Sequence, residues 1–182
     1  DNSLTDLGVK VVNETMSEDQ LSLEIIRNVK LPNPNLSNRY NSEIIKKWGD
    51  FNLEITPLKL IIDILIELSN KYDRSIESYL SEDELVNIII PIAADTPDDI
   101  NKYCLSLIAS RNGDLDYKDW PKYSSGGAED KRLPKEFLVA LKYWGYLEQI
   151  NIKGQNDMRY YLTNKARNVF GKSGNPGLSI NK

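Results

Sequence analysis

Two short strings carry the residue types of a Mg²⁺-dependent phosphodiester-cleaving centre, Pro97-Asp98 and Glu129-Asp130-Lys131. In such a centre the carboxylates hold Mg²⁺ beside the scissile phosphate, and the lysine helps to position a water molecule. Both strings would have to lie on adjacent strands of a sheet. Pro97-Asp98 instead reads as a helix cap, and the second string follows the Ser-Ser-Gly-Gly loop at 124–127. We therefore predict no catalytic residue, no metal site and no cofactor site in this chain.

The chain contains no histidine and a single cysteine, Cys104. The lack of histidine removes the commonest general base, the Ser-His and Cys-His pairs, and zinc sites of the Cys2His2 type. Most hydrolytic mechanisms are thereby excluded. One cysteine cannot form an internal disulfide, and its apolar neighbours predict a small buried side chain. A cytoplasmic location is the simplest interpretation.

Length and composition are those of an ordinary globular protein, with 182 residues, 40% hydrophobic and 27% charged. The longest apolar run, 85–94, is interrupted by Asn87 and Pro91 and is shorter than the roughly 18 residues of a membrane span. No membrane is expected as a partner. The first eight residues lack the basic and apolar regions of a secretory signal, so the start reads as a cut within a longer protein.

Charge is distributed unevenly along the chain. Residues 1–96 hold 9 Lys and Arg against 17 Asp and Glu, whereas residues 97–182 hold 14 against 10. The net charge of −4 therefore hides an acidic half joined to a basic half. This pattern is expected where one face meets a polyanion and the other meets solvent or a partner. Double-stranded DNA is the partner we predict.

The residues that could contact DNA fall into two groups after Tyr117, one in a loop and the helix that follows it, the other in a predicted hairpin. Arginine suits guanine, Asn and Gln suit adenine, and lysine more often contacts phosphate. The candidate DNA-binding residues are Lys118, Lys122, Lys131, Arg132, Lys135, Lys142, Lys153, Gln155, Asn156 and Arg159. The spacing of Lys135 and Lys142 puts both on one helix face, opposite Phe137, Leu138 and Leu141.

Other interpretations of these residues remain open. Cations around a loop are commonly solvated surface, and weaker candidates lie at Arg111-Asn112 and at Arg39-Tyr40-Asn41. The aromatic residues are expected to pack in the core and the hairpin rather than to stack on bases. These are Tyr143, Trp144, Tyr146, Tyr160 and Tyr161.

Capping residues predict the helices of the N-terminal half. Thr5 caps a short helix, and a second helix follows Ser17, although a strand over 21–25 is an alternative. Residues 31–42, rich in Pro, Asn and Ser, form a loop or an extended crossing. The strongest helix begins at Thr56-Pro57 and is apolar on nearly every side, so it should be buried.

Two further helices follow. Ser81 with Glu84 forms a capping box, and Pro91 should kink or end the helix that it opens. Thr96 repeats the cap signature before a helix over 100–109, and residues 112–131 read as a long polar loop.

The C-terminal part predicts a helix and a hairpin. The helix starts near Leu133-Pro134 and ends at Gly145. Apolar and polar residues then alternate on both sides of a turn at 153–157, and Thr163 caps a last short helix. The tail, 171–182, looks like a flexible linker.

This order predicts an α+β, mainly α fold, a winged helix with a C-terminal β-hairpin wing and an N-terminal helical extension. The string Leu4-Thr5-Asp6-Leu7-Gly8 also echoes residues 162–166, as if a preceding winged helix ended there. We therefore divide the chain into 1–50, the end of a preceding subdomain plus a crossing segment, 51–170, the winged helix, and 171–182, the linker.

The chain resembles the DNA-recognition region of type IIS restriction endonucleases and related nicking endonucleases. The resemblance rests on 4–8, on Lys30-Leu31-Pro32-Asn33-Pro34, on Ile55 to Leu65, on 79–85 and 133–146, and on Arg159 to Thr163. It implies sequence-specific DNA recognition within a restriction-modification hydrolase. It also implies a covalently linked Mg²⁺-dependent nuclease domain after Gly171, outside this chain. The alternatives are a winged-helix module for protein contact and a transcription regulator domain.

Overall fold

The computed structural model describes residues 9–10, 13, 15–31, 46, 49–50, 54–71, 78–93, 96, 98–116, 128–151 and 158–171, with side chains omitted at 128–133. Besides helical backbone at 9–10, 46 and 49–50, six longer helical segments and three strands lie in these ranges. In chain order they are α1, Glu18–Asn28; α2, Pro57–Lys71; β1, Tyr79–Ser81; α3, residues 82–93; α4, Ile100–Asn112; α5, Ala128–Tyr143; β2, Leu147–Asn151; β3, Met158–Leu162; and α6, Asn164–Phe170. The fold is α+β and mainly helical, as predicted. None of the described helices is long and apolar enough to cross a membrane.

The hydrophobic core is built around α2. Eight of its fifteen residues are buried, among them Ile62, Ile64, Leu65 and Leu68, which are fully buried. The prediction of a helix that is apolar on nearly every side is confirmed. Neighbouring elements complete the core from several directions, with α1, α4, α5, α6 and the sheet all in contact with α2. Ile26 of α1 belongs to the same core cluster.

Side-chain caps fix the start of three elements at the predicted residues. Ser17 and Ser81 each accept a hydrogen bond from the backbone three residues on, and Gln20 and Glu84 return the bond, so both form capping boxes. Thr163 accepts from the amide of Ala166 to open α6. The helix following Ser17 is thus confirmed, and the alternative of a strand there is wrong.

A fourth cap lies three residues later than predicted. Asp99, not Thr96, accepts the amide of Lys102 and opens α4. This helix runs beyond 109 to Asn112, where Gly113 adopts the left-handed conformation, φ +80. Its amide and that of Asp114 bond to Ser110 and Ala109, which is a Schellman motif.

Pro91 does not end its helix. Helical backbone continues two residues past it to Ala93, after a π-helical segment, Leu85–Ile89, that joins Glu82–Glu84 to Ile90–Ala93. Proline lacks an amide and crowds the carbonyl four residues before it, here that of Asn87. A π turn is one of the few ways in which a helix absorbs such a break in its hydrogen-bond ladder.

The prediction of a polar loop over 112–131 is wrong for its last residues, which are helical. Helix α5 begins at Ala128, so Glu129-Asp130-Lys131 lies in its first turns, and Pro134 falls inside it. Its C-terminus agrees with prediction, because Gly145 has φ +74 and the amides of Gly145 and Tyr146 bond to Lys142 and Leu141.

The sheet contains one strand that sequence reasoning missed. Strands β2 and β3 pair as the predicted antiparallel hairpin, Leu147 opposite Leu162 and Asn151 opposite Met158. Strand β1 adds to the other side of β3, with Tyr79 opposite Tyr161, so the order is β1-β3-β2. The central strand β3 packs on the core through its buried residues Tyr160 and Leu162.

Some predicted segments lie mainly or wholly outside the described residues. These are the helix capped by Thr5, the crossing 32–42, the hairpin turn and the tail 172–182. Within the described part of the crossing, Leu31 forms an isolated antiparallel bridge with Ile55.

Candidate nucleic-acid interface

Helix α5 presents one face to the core and the opposite face to solvent. Leu138 and Leu141 are fully buried and Phe137 packs against the core, whereas Lys135 and Lys142 are exposed. Seven residues complete almost two helical turns, so the two lysines share one face. The side-chain arrangement predicted from their spacing is present in the structure.

The outward face of α5 also carries two large apolar side chains. Val139 is 46% exposed and Tyr143 78% exposed, and they alternate with the lysines at helical spacing. Tyr143 therefore departs from the expectation that these aromatic residues pack inside; Tyr146, Tyr160 and Tyr161 do so, at 1%, 1% and 7% exposure. We call Lys135, Val139, Lys142 and Tyr143 the α5 outer face.

A polar contact joins this face to the hairpin. The Lys142 ammonium donates to the Gln149 side-chain oxygen on β2 at 2.6 Å, and the Gln149 amide lies 2.7 Å from the sulfur of Met158 on β3. Helix and hairpin thus form adjoining parts of one surface. Gln149 was not among the predicted site residues. Nothing in the sequence around it indicates that its side chain would contact a lysine seven residues earlier on α5.

Lys135 is tied loosely to the acidic half of the chain. Its ammonium lies 3.8 Å from a carboxylate oxygen of Glu82, and the same oxygen accepts a hydrogen bond from the Tyr160 hydroxyl at 3.2 Å. Burial, together with the charge of Glu82, raises the pKa of Tyr160 to about 12. The phenol therefore stays protonated and donates its hydrogen to the Glu82 carboxylate that faces Lys135.

Arg159 lies on the other face of the sheet. Gln149 pairs with Tyr160, so Arg159, one residue earlier on β3, points away from Gln149 and Lys142. Its guanidinium stacks 4.1 Å from the ring centre of Tyr79 on β1. The structure does not bring this predicted residue together with the α5 outer face.

Arg111, one of the weaker DNA candidates, is an internal residue. Its guanidinium donates to both carboxylate oxygens of Glu84, at 2.6 and 3.1 Å, and to the carbonyl of Tyr79 at 2.8 Å. It also stacks 3.8 Å from the Tyr79 ring centre. Arg111, which the sequence offered as a possible DNA contact, instead forms an ion pair with Glu84 of the acidic half. This ion pair directs its guanidinium into the fold.

The remaining candidates lie in the first turns of α5 or outside the described residues. Lys131 and Arg132 belong to α5, four and three residues before Lys135. The others, Lys118, Lys122, Lys153, Gln155 and Asn156, lie outside the described residues, as does Arg39-Tyr40-Asn41.

Several other lysines in the described ranges form ion pairs within the fold. The Lys165 ammonium lies 2.6 Å from Asp19, and this bond raises the pKa of Lys165. The exposed pair Lys30 and Glu54, 2.7 Å apart, raises the lysine pKa and lowers that of the glutamate, mainly through their hydrogen bond. These cations are balanced locally.

Two cavities lined by residues that the structure describes give no second site. One, of about 20 Å³, is lined only by apolar side chains such as Leu31, Ile89 and Phe137, so it has room for about one water but no polar partner for it. The other is an open cleft of about 650 Å³ whose lysines, Lys30 and Lys59, pair with carboxylates on its own wall.

The two strings that suggested metal chemistry do not meet on a sheet. Asp98 lies in the turn before α4, and residues 129–131 lie on α5. Within the ranges that the structure describes, no group of three or more Cys, Asp or Glu could hold a metal ion. The two strings therefore do not form the sheet-borne arrangement that a Mg²⁺ site of this kind would need.

The molecule is thus a mainly helical α+β protein with a small three-stranded antiparallel sheet and a mixed basic and apolar helix face beside its hairpin. Comparison with protein-family models, curated proteins and solved structures finds no match to this chain.

Proposed function

We propose that this chain is a winged-helix domain that recognises a specific sequence in double-stranded DNA. In this assignment α5 is the recognition helix and the β2–β3 hairpin is the wing. The element order supports it. Helices precede the β2–β3 hairpin, and the short strand β1, which follows α2, completes the sheet in the order β1-β3-β2. Helix α4 is then an insertion between α3 and the recognition helix.

The observation that carries the proposal is the α5 outer face. A recognition helix needs cations that approach phosphates and side chains that reach base edges, all projecting from one side. Lys135, Val139, Lys142 and Tyr143 are exposed together on a helix that is otherwise held by fully buried leucines. In the same helix, Arg132 lies one turn before Lys135 and supplies a residue type that pairs with guanine.

We further propose that the chain is the recognition part of a type IIS restriction endonuclease or a related nicking endonuclease. The resemblance in sequence supports this assignment. Cleavage, and the Mg²⁺ that it needs, would then belong to a linked nuclease domain outside this chain.

The test is the salt dependence of duplex binding by the chain and by charge-matched variants. Fluorescence anisotropy with a duplex recovered from a random pool gives affinities between 50 and 200 mM salt. We expect a steep loss, roughly 10³-fold for six or more phosphate contacts. Lys142→Gln should lower the slope of log affinity against log salt by about 1. Lys59→Gln, on the exposed side of α2, should leave that slope unchanged.

Two results would refute the proposal: affinity that does not change with salt, or equal effects of the two substitutions. A module for protein contact is the second candidate, favoured by the acidic balance of residues 1–96. It predicts that no duplex is recovered from the pool, while a basic protein partner binds and is released by Glu or Asp substitutions in that half.

A further inference from the structure

The centre of the α5 outer face is apolar. Val139 lies four residues after Lys135 and three before Lys142, so its side chain stands between the two ammonium groups along the helix axis. It remains 46% exposed although its helix neighbours Leu138 and Leu141 are fully buried. Valine has no hydrogen-bond donor or acceptor, so it can contribute nothing to a phosphate contact.

The position of this valine suits one feature of the major groove. There thymine presents its 5-methyl group, the only apolar group on the base edges, and small apolar side chains contact it. Lysines on either side would contact the two backbones that border the groove, which brings the helix centre against the base edges.

We propose that Val139 contacts a thymine methyl group, so that the recognised site contains an A·T pair opposite the middle of α5. The inference rests on the proposed function and deepens it, because it names a base that the helix selects. Tyr143, one turn later and more exposed, lies nearer the helix end and faces the sugar-phosphate border of the groove.

The experiment removes the methyl group alone. In the duplex recovered by selection, each thymine is replaced in turn by deoxyuridine, which has the same hydrogen-bonding edge without the methyl group. Loss of one buried methyl should weaken binding of the full chain about fourfold at one position and leave the other positions nearly unchanged.

Variants assign that loss to a side chain. With Val139→Ala the penalty for deoxyuridine at the sensitive position should disappear, while the salt slope stays that of the parent. Val169→Ala, the same change at an exposed valine of α6, should keep the fourfold penalty. Lys142→Gln should weaken both duplexes equally and also keep it. Thermal unfolding followed by circular dichroism checks that each variant is folded.

The outcomes separate the two proposals. If the parent recovers no duplex from the pool, DNA recognition itself fails. If it binds a duplex, but no thymine is sensitive to methyl removal, the inference about Val139 is wrong while DNA recognition stands. The same holds if the penalty is as large in Val139→Ala as in the parent.

Discussion

The ion pair between Arg111 and Glu84 ties three elements together at the edge of the sheet. Arg111 lies in the last turn of α4, Glu84 closes the capping box that opens α3, and the carbonyl of Tyr79 belongs to β1. The two side chains are only 9% and 13% exposed. Replacing Arg111 with Met removes the cation but keeps much of its apolar stem.

The expected cost follows from what is left behind. Glu84 loses two charge-assisted hydrogen bonds and keeps that from the amide of Ser81, so a nearly buried carboxylate is left without its cation. Removing one partner of a buried pair costs about 3–5 kcal/mol. Because both groups retain some contact with water, we expect about 3 kcal/mol for Arg111→Met. Arg111→Lys keeps the charge but not the two-pronged geometry, and should cost less.

Urea unfolding followed by circular dichroism measures these free energies. Combining Arg111→Met with Glu84→Gln should cost less than the sum of the single changes, with a coupling of at least about 1.5 kcal/mol. Lys30→Ala, which breaks the exposed pair with Glu54, should leave the urea midpoint unchanged. A loss below about 1 kcal/mol for Arg111→Met would refute the structural role assigned to this arginine.

Four other outcomes are expected. Gly145→Ala should cost about 1–2 kcal/mol in urea unfolding because its φ is +74, whereas Gly171→Ala, with φ −69, should not. The raised pKa of Tyr160, about 12, means that the unfolded chain releases this proton first; the melting temperature should fall between about pH 10 and 12, and less so in Tyr160→Phe. Burial raises the pKa of Cys104 to about 11 from 9.0; at pH 8 it should hold roughly 100-fold less thiolate than in urea and react correspondingly slowly with a disulfide reagent. Glu82→Gln should strengthen duplex binding up to about fivefold by freeing Lys135; unchanged or weaker binding would contradict this.

Local signals predicted much of the fold because they depend on few residues. Ser17, Ser81 with Glu84, and Thr163 each cap the helix that follows, and the bonds involved span only three residues. The same reasoning failed at Thr96 because two cap-forming types, Thr and Asp, lie within four residues of the helix start. Only the backbone geometry at Asp99 decides between them.

Strand β1 was missed for a different reason. Tyr79–Ser81 is three residues long and buried throughout, so it shows no alternation of apolar and polar side chains. Its partners on β3 lie about eighty residues further along the chain. A strand that exists through such distant pairing leaves almost no trace in its own sequence.

The candidate site was predictable in part. A spacing of seven correctly put Lys135 and Lys142 on the exposed face of α5. Side chains alternate between the two faces along a strand, so Arg159 must lie on the face of the sheet opposite to Tyr160. The predicted site grouped Arg159 with the α5 lysines without using this alternation. The exposure of Tyr143 also follows from helical spacing, because it lies four residues after Val139 and eight after Lys135, but the expectation that aromatic residues pack inside took precedence over that signal.

The acidic and basic halves of the sequence are less separated in the folded structure than they are along the chain. Glu84 neutralises Arg111, Asp19 neutralises Lys165, and Glu82 lies beside Lys135, so three carboxylates of the acidic half serve as internal partners of the basic half. The first two pairs, with their charges 2.6 Å apart, attract a polyanion only weakly because their opposite fields largely cancel, whereas Lys135 lies 3.8 Å from Glu82 and is half exposed. An interface with DNA would therefore depend on local cations, those of α5 first. Its salt slope should follow their number rather than the overall balance of residues 97–182.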